Sequence, residues 1–552
     1  MIKRIFLLLV ICSAFLSAQT EYVPVDHKIY SFLERMYALR IISNYNSFDL
    51  PKTRRQIGTY LKETNDKSDE LDAADMSLLD DFKIEFELEY SGTLNNSVSL
   101  FGGSDYGIFN QKEKYIYLQN QPGIGTLFIN LTGEGDLLLR NDRVADNSNY
   151  AKLGIIGGEI RGTVLEKFGF FIKGTNGVTT GDKEASFLRK DLQYNFKLNE
   201  PQGGSTFFDE TQGYLTADFN FVRFKIGRDR LKIGYGFLGA LIDDSSPPFD
   251  YLGMDINYGI FSFSYFHAKI AGGVSYQPDS STGGVHVIGE KYIGYHRLGL
   301  DLSDKTEIGV GEFIIYADRP VEFSYLNPFN FYKSAEHAGE DRDNSMLLFD
   351  ISNRSIEGMK LFGSLLIDDI SFGKIGKGWY GNQTLWNLGL NSSNFYKYIP
   401  IDINAEYERI EPYVFTHRLS ATNFTNQGFA LGTFTYPNSE LFFININYRF
   451  NNRCSASLGF LYGIHGANPI NSDGSVNNIG GDIALGHRTY DSESVHFLDG
   501  DLEYQRMFSA SVNYEPYKEI NFNIKLNYLS QSLQNSIIKK EIQSFITLAV
   551  KI

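Results

Sequence analysis

The sequence predicts an all-β chain whose strands close into one large transmembrane antiparallel β-barrel of about 16–18 strands, with a small N-terminal α-helical segment. Three observations carry this. From residue 82 onward apolar and polar residues alternate, the tight turns between alternating segments take turns with long polar connections, and the chain opens with an export leader. Period two puts apolar side chains on one strand face and polar ones on the other, which in a barrel are the lipid and lumen faces. A soluble sandwich or propeller would also alternate. It would not account for strand length, the short/long asymmetry of connections and the leader together. The composition, with 44 Phe, 35 Tyr and 53 Gly, suits strands of this kind. No apolar stretch after the leader is long enough to be a membrane helix.

The leader is residues 1–18. Lys3 and Arg4 form its positive end, Ile5 to Val10 begin its apolar core, and Leu16-Ser17-Ala18 is a small-residue cleavage site before Gln19. Ile11 precedes Cys12 where a lipidation site wants a small residue, so cleavage after Ala18 is the reading, not a lipid anchor. Cleavage leaves Cys454 as the only cysteine, and one thiol makes no internal disulfide. It also removes two cations from a chain of net charge −15, which excludes nucleic acid as a partner.

Residues 19–81 read as a periplasmic helical segment. Ile29, Phe32, Leu33 and Met36 share one helical face. Thr53 with Gln56 is a capping box after Pro51, with Ile57, Tyr60 and Leu61 as the apolar face; Leu71, Ala74, Leu78 and Phe82 suggest a third helix. Such a segment is too small for a strong core of its own, so it should pack on the periplasmic rim of the barrel.

The barrel spans 82–552. Phe82, Ile84, Phe86, Leu88 and Tyr90 alternate with Lys83, Glu85, Glu87 and Glu89, which reads as its first strand. Ala510–Tyr514 and Ile520–Tyr528 form a hairpin around 516–519. Phe442–Phe450 and Cys454–Tyr462 form another, with Asn451-Asn452 suited to a type I′ turn and Cys454 facing lipid. Stretches 270–292 and 464–500 read as long loops. Ile546, Leu548, Val550 and Ile552 form the apolar face of a closing strand.

Catalytic signatures are missing. Gly234-Tyr235-Gly236-Phe237-Leu238-Gly239 matches the dinucleotide fingerprint, but Asp243-Asp244-Ser245-Ser246-Pro247-Pro248 follows where the required helix should start. The nine histidines show no metal-ligand spacing, and neither a nucleophile elbow nor a phosphate loop is present. No cofactor, metal or reaction is therefore expected. Asp243-Asp244 and Asp368-Asp369 are solvated loop acids or, at strand ends, ligands for a cation or for sugar hydroxyls. Trp379, Tyr380 and Trp386 either stack on a pyranose ring or belong to an interfacial aromatic girdle.

Lys232 to Ile270, with its GYGFLGALIDDSSPPFDYLGMD run, is one of several phrases that carry a family resemblance. The others are Tyr295 to Tyr332 (with ADRPVEFSYLNPFNFY), DRDNSMLLFD at 341–350, MKLFGSLLIDDI at 359–370, and RIEPYVFTHRL with NFTNQGFALGTFTYPNSE across 409–440. Together they resemble the Wzi-type capsule-assembly family of outer-membrane proteins. The resemblance implies an 18-stranded barrel with a periplasmic helical bundle, acting as a lectin-like holder of capsular polysaccharide without catalysis. Surface or capsular polysaccharide and outer-membrane lipid are then the partners, with periplasmic export machinery or peptidoglycan as further partners of the helices. It suggests Asp243, Asp244, Arg319, Tyr325, Asn327, Asp343, Asn344, Asp368 and Asp369 as glycan contacts, beside Trp379 and Trp386. Tyr325 and Asn327 are also read as a strand-end aromatic and a turn before Pro328. A porin or transport channel is the alternative function, and lumen-facing polar residues suit both.

Overall fold

The computed structural model describes residues 19–101, 107–199, 204–277, 285–340, 342–394, 399–434, 436–534 and 536–552; the leader reading of 1–18, Cys12 included, lies outside them.

Eighteen antiparallel strands close into one barrel. They are β1 (Gly125–Asp142), β2 (Asn147–Val164), β3 (Phe168–Gly181), β4 (Ser205–Asp218), β5 (Val222–Asp229) and β6 (Phe249–Tyr258). Then come β7 (Phe261–Gln277), β8 (Val285–Ser303), β9 (Thr306–Ala317), β10 (Asn344–Asn353), β11 (Met359–Asp369) and β12 (Gln383–Ser392). The last are β13 (Ile401–Ile410), β14 (Ser439–Asn451), β15 (Cys454–Ala467), β16 (Asp501–Tyr517), β17 (Ile520–Leu533) and β18 (Ser536–Lys551). Each pairs with its sequence neighbour, and β18 returns to β1 from Glu541↔Asp142 to Lys551↔Thr132. Ile552 extends the closure, since its N–H donates to Leu131 (2.9 Å) and its carbonyl accepts from Leu131 N–H (2.7 Å).

The alternation gives an apolar outer belt. Ile156, Ile172, Leu215, Leu458, Ile524 and Ile546 are all exposed on the outer wall, while their neighbours in sequence face inward. One end of the barrel carries short turns, such as 259–260, 304–305, 452–453 and 518–519. The other carries the long connections 230–248, 318–343, 411–438 and 468–500. The 516–519 hairpin forms as expected, between β16 and β17, with Tyr517 opposite Ile520.

Three expectations need correction. First, Phe82–Tyr90 is not a strand but helix, because Phe82 and Phe86 also stand four residues apart and bury one face against the other helices. Second, neither Asn451 nor Asn452 has a positive φ, so the β14–β15 turn is not type I′; a register shift between Arg449 and Asn451 turns the chain instead. Cys454, opposite Asn451 in that hairpin and opposite Tyr514 of β16 on its other side, is half-buried. Third, most of 270–292 belongs to β7 and β8, while 468–500 is a true connection.

The helical segment comprises α1 (Ile29–Ala38), α2 (Arg54–Asp66), α3 (Ala73–Glu85) and α4 (Glu87–Ser91). Ile29, Phe32, Leu33 and Met36 of α1 meet Ile57 and Leu61 of α2 and Phe82 of α3 in one core. The capping box forms, with the Thr53 side chain accepting from Gln56 N–H and Gln56 Oε1 accepting from Thr53 N–H. The segment closes the turn end. Arg354, after β10, donates to the Tyr37 and Ile42 carbonyls. Arg453, between β14 and β15, pairs with Asp81 at 2.6 Å. Lys518, between β16 and β17, reaches Glu85 at 3.3 Å. Burial alone would raise the Glu85 carboxyl; His27 and Lys518 beside it hold it well below the usual range.

Candidate functional site in a plugged lumen

The lumen is filled from both ends. From the loop end, 230–248 leaves the wall after β5 and turns inward, burying Leu231, Ile233, Tyr235, Leu238, Leu241 and Ile242. From the turn end, 19–50 enters and its strand Asp49–Leu50 pairs with Lys232–Ile233. Gly234, Gly236 and Gly239 have φ of 111°, 79° and 62°, so the fingerprint glycines serve an inward bend and no helix follows them.

Arg297 of β8 joins the two plugs to the wall. It is fully buried and donates to both oxygens of Asp350 (2.7 Å each), to Glu307 (2.9 Å) and to Asp49 (3.4 Å). Tyr295 donates to Asp49 (2.6 Å) and Tyr235 to Asp350 (3.1 Å). A Cβ at Gly309 would overlap Arg297 and Asp350, so that wall position must be glycine for the guanidinium to lie flat. Glu406 of β13 accepts from the N–H groups of Phe237 (2.7 Å) and Leu238 (3.2 Å) and from Asn387 (2.7 Å). Sequence reasoning missed these groups. Their signal was polar positions on the lumen face of otherwise apolar strands, which does not reveal partners far away in the chain.

Several residues expected to contact glycan hold the connection 411–438 in the lumen mouth. Asp368 accepts from Phe415 N–H (2.6 Å), and Asn344 donates to the Thr422 carbonyl (3.1 Å). Asp243 accepts from the Thr433 hydroxyl and from Ser245 N–H (3.0 Å). Burial raises the Asp243 carboxyl, but these donors and Lys232 outweigh it and the group lies below its usual range. Asp244 is pushed up to about 6, by burial and then by Asp243. Asp369 faces the opposite way from Asp368 and is exposed, as adjacent strand residues must be.

Arg319, Tyr325 and Asp343 form a second group. The connection 318–343 folds back along the outer wall, with its short helices Phe323–Leu326 and Tyr332–Ala338 over Tyr292, Ile314 and Tyr316. Arg319 grips both oxygens of Asp343 (2.7 and 2.5 Å), and the Tyr325 hydroxyl donates to Asp343 (2.6 Å). Exposed Asn327 caps a local turn by accepting from Phe329 N–H (3.2 Å), in line with its reading as a turn residue.

The tryptophans separate. Trp386 is 43% exposed on the outer face of β12, beside exposed Leu388, a girdle position. Trp379 lies in the loop-end connection, where Lys374 sits 4.1 Å over its ring and its backbone bridges to Ser494. Next to it, Tyr380 stacks on His487 at 3.5 Å between centroids. Among the described residues no His, Cys, Asp or Glu group could hold a metal ion.

On the β1–β5 side a cavity of about 1260 Å³ remains between the wall and the plugs. Tyr194, Phe208, Gln212, Asn195 and Phe429 line it, together with charged groups of both signs. Arg189 pairs there with Glu134, Asp136 and Asp191, and Arg230 with Glu210 (2.8 Å).

Fold and plug together define an occluded outer-membrane-type barrel. No family model matches the chain, and no curated protein matches it by sequence. Among solved structures it is similar to Wzi, an Escherichia coli outer-membrane protein involved in group 1 capsule assembly and described as a carbohydrate-binding β-barrel. The TM-score is 0.58 at 12% identity, over 96% of this chain and 98% of that one. That likeness is one of fold. Two porin-type barrels align over less of this chain: OccK5 of Pseudomonas aeruginosa (TM-score 0.43, 8% identity, 77% and 98% of the two chains) and a BenF-like porin of Pseudomonas fluorescens (0.45, 9%, 77% and 99%).

Proposed function

We propose that the chain is exported to the bacterial outer membrane, where it binds surface or capsular polysaccharide without catalysis and takes part in its assembly or anchoring. The observation that carries this reading is the meeting of the two plugs at Asp49–Leu50 and Lys232–Ile233. A porin needs a continuous aqueous path, and here the lumen is crossed by backbone pairing and packed with side chains on its β6–β13 side, leaving a cavity beside β1–β5. The capsule-assembly role and carbohydrate binding of the Wzi barrel, whose fold this chain resembles from end to end, agree with it. On this reading the turn end faces the periplasm, with the helices available to export machinery or peptidoglycan, and the loop end faces the medium. Glycan recognition needs planar hydrogen-bonding groups and ring faces. The loop-end Asp, Asn, Tyr and Trp side chains supply both.

The test is deletion of the gene in its native cell, scoring cell-bound against shed polysaccharide. The reading expects polysaccharide to be made but released to the medium. Unchanged cell-bound glycan with reduced uptake of small solutes would reassign the chain as a channel.

A further inference from the structure

The barrel wall is notched. β5 and β6 are short, and the pairing of β4 with β5 ends at Gly213↔Arg228, although β4 continues to Ser205 beside β3. On the far side, the pairing of β6 with β7 ends at Asp250↔Lys269, although β7 continues to Gln277 beside β8. Residues 205–212 and 270–277 therefore face each other across a gap whose edges are each roughly 27 Å long at 3.4 Å per residue. The connection 230–248 that would have filled the gap turns into the lumen instead. The β7 edge is partly covered at Ala271, whose N–H donates to Asn426 Oδ1 (2.9 Å) and whose carbonyl accepts from Gln427 N–H (3.0 Å). Among the described residues no backbone group bonds the gap-facing edge of 205–212.

The cavity opens at this notch. Its lining includes Asp209 and Thr211, which are exposed on the outer face of β4, as well as inward-facing Glu210 and Gln212, and Ala271 and Gly272 of the opposite edge. Its volume exceeds the roughly 300–1,000 Å³ of small-molecule sites, which suits a segment of chain more than a single small ligand. Five cations line it (Lys173, Arg189, Lys190, Arg228 and Arg230) against seven carboxylates (Asp26, Glu134, Asp191, Asp209, Glu210, Asp229 and Asp244). Arg189 pairs with three carboxylates, Arg228 with Asp250 and Arg230 with Glu210. An anionic ligand would meet no net positive field there. An uncharged, hydroxyl-rich one would meet carboxylates, amides and guanidinium edges, with the rings of Tyr194 and Phe429 at 6.4 Å from each other at the entrance.

We propose that the β4–β7 notch is a lateral entrance through which an uncharged stretch of polysaccharide lies in the luminal cavity, packed against the contiguous ring pair of Tyr194 and Phe429. This rests on the glycan-binding reading above, and the experiment separates the two. The probe is the polysaccharide shed by the deletion strain. Cells carrying Tyr194→Ala or Phe429→Ala in the full chain are expected to lose about tenfold of their bound polysaccharide, with barrel levels unchanged. In the purified protein, Thr211→Cys in a Cys454→Ser background is expected to react with a maleimide several-fold more slowly when shed polysaccharide is added, while the control Ser475→Cys in the same background reacts at an unchanged rate.

If the deletion strain sheds nothing, both readings fall. If shedding occurs but the two variants retain glycan and residue 211 is unprotected, the notch is not the site and the anchoring reading stands. Protection that survives periodate oxidation of the added material would mean a peptide pairing on the open β4 edge, and would also overturn the proposal.

Discussion

The two sides of the lumen are filled in different ways. On the side walled by β6–β13, Phe249, Phe266, Tyr295, Phe313, Leu348 and Phe362 pack on the inward loops in one apolar core, with a single ion network around Arg297 sealed inside it. On the β1–β5 side smaller clusters leave a charged cavity. The difference teaches that plugging and binding can be divided within one barrel: the packed side fixes the inward loops, and the other side keeps polar groups within reach of a ligand.

The largest effect should come from breaking the packed side. Arg297→Ala strands Asp350, Glu307 and Asp49 without their shared cation, and removal of one partner of such a buried network costs about 3–5 kcal/mol. The same change at Arg189, whose side chain is 23% exposed, should cost less, about 1–3 kcal/mol, since the cavity admits water to Glu134 and Asp191 while Asp136 is left buried. Denaturant unfolding of both variants in micelles measures the contrast; equal losses would erase the distinction between the two sides.

Next in size is Leu241→Ala. Leu241 is buried within the inward loop, and its truncation should cost roughly 2–5 kcal/mol. Hydrogen exchange should localise the loosening to 231–243 and spare the outer strands.

Acid should act oppositely on two places. The Asp244 carboxyl is raised to about 6 in the fold, against about 3.9 unfolded, so its contribution is full below about 3.9 and is lost as pH rises through 6. Glu85 is depressed, so its contribution to the helical cap is present above about 4.3 and is lost as pH falls through its lower folded value. Exchange protection around 243–246 should therefore weaken between about pH 4 and 6, and Asp244→Asn should remove that change. Protection around 81–89 should weaken only in stronger acid.

The smallest effect concerns the tryptophans. Brominated lipid should quench Trp386 and leave Trp379 bright, as Trp379→Phe and Trp386→Phe would each reveal. Equal quenching would place the 370–382 connection in the bilayer.

The wall was largely legible in the sequence, because lipid outside and polar lumen inside impose period two on every strand, and Ile546 to Ile552 duly closes against β1. The helix at 82–90 was not, since Phe82 and Phe86 satisfy both periods and only packing against α1 decides between them. The plug was not legible. The GYGFLG run was recognised as no nucleotide site, but nothing local says that it turns inward to meet Asp49. Arg297 finds its partners 53 and 248 residues away, beyond any spacing rule. Of the expected contact residues, Asn344, Asp368 and Asp243 hold inward loops, because a short polar side chain at a strand end is also the nearest anchor for a returning chain.

The most direct test of the central claim, that this barrel is occluded, is single-channel conductance in planar bilayers of the intact protein beside a variant with 231–247 replaced by a short turn. The account predicts no steady conductance for the intact chain and clear openings once that loop is removed. A stable ohmic pore in the intact protein would contradict it.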